Sequence, residues 1–108
     1  MQRVKISEIF HSPETFGNQE ITVCGWARTI RNMKSFGFIE LNDGSCFKSL
    51  QIVLDNNALN NYDELTKQNV GTAFICHGTL VLTPEAKQPF ELKATDAFVE
   101  GASSPEFP

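Results

Sequence analysis

Between Arg28 and Gln51 the chain gathers three kinds of side chain that together can hold an unpaired base. These are the guanidinium groups of Arg28 and Arg31, the rings of Phe36 and Phe38, and the carboxamide of Gln51. A cation neutralises phosphate, an aromatic face stacks on any base, and a carboxamide offers a donor and an acceptor side by side. Arg28, Arg31 and Lys34 stand in a stretch, Ile21 to Ile39, that has no acidic residue, although the whole chain carries a net charge of −4. The charge is segregated, and its placement matters more than its sum. An acidic chain makes a poor general coat for nucleic acid, because non-specific affinity grows with the number of phosphates neutralised. A small, specific contact is what this distribution suits.

The elements that must position these groups read as strands. Cys24 to Arg31 alternates polar and apolar residues like a half-buried strand. In Phe36 to Asn42, Ile39 and Leu41 share one face, while Phe36, Phe38 and Glu40 share the other. If the aliphatic pair points inward, two phenylalanines stand outward beside a carboxylate. Asp43-Gly44-Ser45 has hairpin-turn chemistry, and Phe47 to Leu54 returns with Leu50, Ile52 and Leu54 on one face and Gln51 and Val53 on the other. Paired across this hairpin, Phe38 and Gln51 would give one stacking surface and one reading group.

Around this hairpin, Lys5 to Phe10 suits a short helical turn that His11-Ser12-Pro13 ends. Asn60 or Asn61 can cap a helix through Tyr62, Leu65 and Lys67 that runs to about Asn69 and stops by Gly71. Thr72 to Thr83 and Phe90 to Val99 read as two further strands, joined by the Pro84 to Pro89 loop. The order is strand, strand, strand, helix, strand, strand. That is all-β with one short helix, the layout of the five-stranded oligonucleotide-binding (OB) barrel, whose second and third strands form the usual ligand face. Residues 1–16 then form an N-terminal segment, 17–100 the barrel, and 101–108 a linker toward a further domain.

Composition bounds the rest. A chain of 108 residues, 41% hydrophobic, can enclose one core, burying roughly 60–70% of its unfolded surface. Cys24, Cys46 and Cys76 are odd in number and widely spaced, so they read as small apolar residues in a reducing, cytoplasmic setting rather than as a disulfide framework. His11 and His77 lack partners at ligand spacing, so no metal site is expected. No stretch approaches the roughly 20 apolar residues that cross a bilayer. Trp26, between Gly25 and Ala27, reads as a packing residue. No phosphate loop, nucleophile elbow or paired-histidine motif is present, so no catalytic residue is expected in these 108 residues.

Gly25-Trp26, the Arg28-Thr29-x-Arg31 spacing, Phe38, the turn Asn42-Asp43-Gly44-Ser45-Cys46-Phe47, and Leu50-Gln51 resemble the N-terminal anticodon-binding domain of bacterial-type asparaginyl-tRNA synthetases. The resemblance runs from about Ile21 to Phe107. The glycine-tryptophan pair with basic residues, the strand phenylalanine and the glutamine are common to the aspartyl, asparaginyl and lysyl enzymes of class II. The Asp-Gly-Ser-Cys-Phe turn is similar to that of the asparaginyl member.

This resemblance implies roles by position. Phe38 would stack on the central uridine of the anticodon, Gln51 would read it, and Arg31 would contact the anticodon backbone or bases. Arg28 would lie in the same binding surface. Glu91 would help recognise the first, guanine-type base by accepting from its N1-H and exocyclic amine. It further implies a partner, the GUU anticodon loop of tRNA(Asn), and a catalytic domain in the same polypeptide that uses ATP and magnesium. The whole enzyme would be a homodimer, and this part alone monomeric or weakly associated. The chain departs from the family at Ile30-Arg31-Asn32, where relatives often carry a more basic run. From the residues alone, a general single-strand binder of the same fold, a protein-interaction barrel and the equivalent aspartyl domain stay open.

Overall fold

In a computed structural model of the chain, five strands close into a barrel in the order β1-β2-β3-β5-β4. The structure describes residues 3–83, 85 and 88–101. Residues 102–108, in which most of the expected linker falls, and part of the Pro84 to Pro89 loop lie outside the described residues. The strands are β1 (Glu20–Asn32), β2 (Phe36–Asn42), β3 (Leu50–Asp55), β4 (Ala73–Leu82) and β5 (Phe90–Gly101). Three short helices accompany them: α1 (Ile6–His11), α2 (Pro13–Phe16) and α3 (Tyr62–Thr66). The expected OB architecture is what forms, with α3 between β3 and β4.

Among the five strands all pairings are antiparallel except β3 with β5, whose parallel contact is short: Ile52 with Leu92 and Val53 with Lys93. Period-two burial sets the inner face. Ile39, Leu41, Leu50, Ile52, Leu54, Phe74, Leu80 and Leu92 are fully buried, and Ile6 and Ile9 of α1 join the same core. Cys76 belongs to it as well, and burial pushes its thiol up to about 12. Cys46 is partly buried and packs against this core, and Cys24 is likewise only partly buried.

Several local readings are corrected or refined by the structure. Pro13 does not simply end a helix; it occupies the first turn of α2, where its missing N-H costs nothing and its fixed φ favours helix. Trp26 is 43% exposed and packs with its ring over Gly44, whose φ of 80° suits a residue without a side chain. The helix after β3 is shorter than expected and ends at Thr66. Asn61 is its N-cap residue, as expected, but its side chain makes no capping bond; its amide donates to the Ala97 carbonyl on β5 at 2.8 Å.

Candidate nucleic-acid interface

The outer face of β1, β2 and β3 places the expected residues in a grid. Thr29 pairs with Glu40 and Glu40 with Gln51, forming one row; Arg31 pairs with Phe38 and Phe38 with Val53, forming the next. Thr29, Arg31, Phe38, Glu40 and Gln51 together line one shallow depression. The rings of Phe36 and Phe38 meet edge to face, with centroids 5.3 Å apart and planes at 83°. In such an arrangement the edge of one ring meets a face of the other, and each ring is fixed by its neighbour. Phe36 is 41% exposed and Phe38 partly buried, so the outward orientation expected of both is observed.

The expected pairing of Phe38 with Gln51 is not what forms. Phe38 faces Val53, and Gln51 faces Glu40, so Phe38 and Gln51 are diagonal neighbours on the same side of the sheet. Diagonal separations on a sheet are about 7–8 Å between Cα atoms, which a ring and a carboxamide can bridge around one base. The Gln51 amide has no hydrogen-bond partner among the described residues, and both its donor and its acceptor stay available.

Glu91 does not line this depression; it precedes Leu92 as Gln51 precedes Ile52, and the parallel pairing of Ile52 with Leu92 leaves both polar residues on the side of their strands away from the core. Arg28 does not enter this depression. It sits at a bulge between Ala27 and Thr29 and lines a second hollow with Asn42, Gly44, Ser45, Cys46 and Phe47. The structure thus brings Arg31, Phe38 and Gln51 into one depression, with Glu91 on β5 beyond β3 and Arg28 at the flank.

Thr29 and Glu40 were not among the expected site residues. Glu40 was detectable, because it shares the strand face of Phe38. Thr29 was not, because plain alternation places it inward with Ala27, and only the extra residue of the bulge turns it outward. Among the described residues no group of three or more His, Cys, Asp or Glu side chains is gathered to hold a metal ion. No helix among them is long and apolar enough to cross a membrane.

Known proteins resemble this chain along its whole length. A family model described as the OB-fold nucleic acid binding domain (tRNA_anti-codon) matches residues 21–100. The asparagine-tRNA ligase of Acetivibrio thermocellus is 52% identical over 108 residues, covering 100% of this chain and 23% of that protein. The asparagine-tRNA ligase of Clostridium tetani is 48% identical over the same 108 residues, again 100% of this chain and 23% of its own length. The chain therefore spans under a quarter of the curated relatives it matches. In fold it is similar to the asparaginyl-tRNA synthetase of Pyrococcus horikoshii complexed with asparaginyl-adenylate, at a TM-score of 0.83 and 21% identity, over 100% of this chain and 24% of the other. With the match to residues 21–100, the closed barrel and its outward aromatic, amide and basic groups, the chain belongs to the OB-fold nucleic acid binding domain family of the tRNA anticodon type.

Proposed function

We propose that this chain is the anticodon-binding part of an asparagine-tRNA ligase and that it holds the GUU anticodon loop of tRNA(Asn). The observation that carries the reading is the convergence of Arg31, Phe38 and Gln51 in one outward depression. The 52% identity to an asparagine-tRNA ligase along the whole chain supports it. In this reading the Phe38 ring stacks on the central uridine, contributing about 1–3 kcal/mol without discriminating between bases. Gln51 supplies the discrimination, since its amide matches the imide N-H and a carbonyl of uracil, whereas cytosine presents a different pattern. Arg31 meets the anticodon backbone or bases, Arg28 adds charge at the flank, and Glu91 beside Gln51 accepts from the first, guanine-type base.

The whole protein, in this reading, attaches asparagine to its tRNA with ATP and magnesium, as a homodimer in the cytoplasm. Those steps fall to a catalytic domain of the same polypeptide, reached through a linker at 101–108. Among the described residues no group of three or more His, Cys, Asp or Glu side chains gathers to hold an ion, so this reading places the magnesium in that domain. Residues 17–100 form the binding domain and 1–16 a helical segment ahead of it. The barrel's part is binding energy and specificity delivered away from the reacting atoms.

The test is a low-salt titration of the chain with a GUU anticodon stem-loop and with the same loop carrying cytidine at the centre. The expected result is tighter binding of the uridine loop. Gln51→Ala should erase that preference, while Phe38→Ala should weaken both loops. Equal binding of the two loops by the unaltered chain would replace this reading with a general single-strand binder. Preference for a GUC loop over GUU would replace it with the aspartyl equivalent.

A further inference from the structure

Beyond the depression that contains Phe38 and Gln51, the outer face continues into a groove of about 400 Å³. Phe36, Val53 and Val81 give it apolar walls, and Lys93, Asp55 and Thr79 give it polar ones. Its origin is topological. The parallel contact of β3 with β5 is limited to Ile52 with Leu92 and Val53 with Lys93. Past it, β3 ends at Asp55, whereas β5 runs on along β4. The strands part, and an opening is left between them.

This opening is continuous with the candidate interface. Val53 is paired on one side with Phe38 and on the other with Lys93, so a single cross-strand row leads from Arg31 through Phe38 to the groove. Phe36, two residues before Phe38 on the same face and 41% exposed, forms the near wall. Because its plane stands at 83° to that of Phe38, its face looks in a different direction from the ring assigned to the central anticodon base. The groove therefore offers a second stacking face, with a cation for phosphate, and a hydroxyl and a carboxylate for base or ribose edges. A volume of this order lies within the range of roughly 300–1,000 Å³ typical of small-molecule pockets.

We infer that this groove is a second nucleotide subsite, in which a base flanking the anticodon triplet stacks on Phe36 while Lys93 meets its phosphate. The inference rests on the proposed anticodon reading and adds to it a contact outside the triplet. Continuity with the aromatic and basic row favours RNA as the occupant over a protein segment. A stacking contact of this kind accepts any base, so the subsite adds affinity and sets the path of the loop without reading sequence.

The experiment compares two single strands, followed by NMR titration of the 108-residue chain, which encloses its own core. One is AAGUUAA; the other is the same strand with abasic residues at its four flanking positions, so that the phosphates are unchanged. The unaltered chain should bind the first at least about fivefold more tightly, the lower end of what one stacked base contributes. Phe36→Ala should remove that difference, weakening the intact strand more than the abasic one. Phe36→Leu, which retains apolar bulk against Phe38 but no flat face, should do the same. Equal weakening of both strands by these variants would mean that Phe36 only braces Phe38, and would overturn the inference. So would an unaltered chain that binds both strands equally. Binding of neither strand would overturn the anticodon reading itself, and the subsite with it.

Discussion

Gly37 stands between the two outward phenylalanines, and its own inward side shows why the position is a glycine. A Cβ there would lie 2.8 Å from the Arg31 carbonyl oxygen and 3.0 Å from the Tyr62 hydroxyl. That hydroxyl donates to Asn32 Oδ1 at 2.9 Å, so the space Gly37 leaves is filled by the bond that ties α3 to the end of β1. Tyr62 is buried, and burial pushes its phenol above the ordinary value. Gly37→Ala should therefore destabilise the chain by about 1–3 kcal/mol, as an overpacked core site does. A lowered urea midpoint with an unchanged slope would be the sign; an unchanged midpoint would show that α3 yields freely. At this scale the sequence disclosed faces but not register. Period two makes Phe38 and Gln51 outward whichever residues they oppose. The pairing of Leu41 with Leu50 is set by the course of the loop between them, which alternation does not encode.

Among the elements, β1 departs furthest from what its residues suggest. Arg28 and Arg31 are three apart, so an unbroken strand would send them to opposite faces, one of them into the core. The bulge between Ala27 and Thr29 resets the phase, so that Arg28, Thr29 and Arg31 all have access to the outside while Ile30 packs against the core. The hydrophobic alternation of Cys24 to Arg31 concealed this, because one extra residue costs the sequence pattern little. The bulge also divides the two arginines between separate hollows. Arg31→Ala should lower affinity for the GUU loop and reduce the slope of log K against log salt by about 0.7, the value for one phosphate contact on a single strand. Arg28→Ala should weaken uridine and cytidine loops alike, leaving their ratio unchanged. A change in that ratio for Arg28→Ala would place this residue on a base rather than on the backbone. The order of strands was legible throughout, since each has a clear inner set of aliphatics. Helix α2 was not, because a proline reads equally as an end or a beginning.

Across the whole molecule, the loop joining β2 to β3 connects the barrel to its N-terminal helix. Lys5 precedes α1 without a side chain able to accept from the first turn, and Glu8 Oε1 accepts only from the Lys5 N-H. The Glu8 and Ile9 N-H groups donate to the Lys5 carbonyl, whereas those of Ile6 and Ser7 are met from far along the chain. Asp43 Oδ2 accepts from the Ile6 N-H at 2.9 Å, and Ser45 Oγ accepts from the Ser7 N-H at 2.9 Å. Asn42, 5% exposed, fixes the same loop by donating to the Cys46 and Lys48 carbonyls, each at 3.2 Å. The turn whose residues resemble the asparaginyl enzymes is thus also the cap of α1. Hairpin chemistry alone could not reveal this, since the cap is closed by residues 37 and 38 positions away. Burial pushes the Asp43 carboxyl up, but the hydrogen bonds it accepts from the Ser45 hydroxyl and from the Ile6 and Ser45 N-H groups outweigh this and hold it below its ordinary value. A depressed folded-state value means that the charged form stabilises the fold. That contribution is complete above the unfolded value of about 4 and is lost as pH falls through the lower folded one. Asp43→Ala should therefore cost about 0.5–2 kcal/mol at neutral pH, the range for loss of a helix cap. The gap between the variant and the unaltered chain should narrow only below about pH 4. Denaturant melts of both proteins from pH 7 to pH 2.5 would measure it. A gap that stayed constant across that range would mean that Asp43 acts through its shape and not its charge.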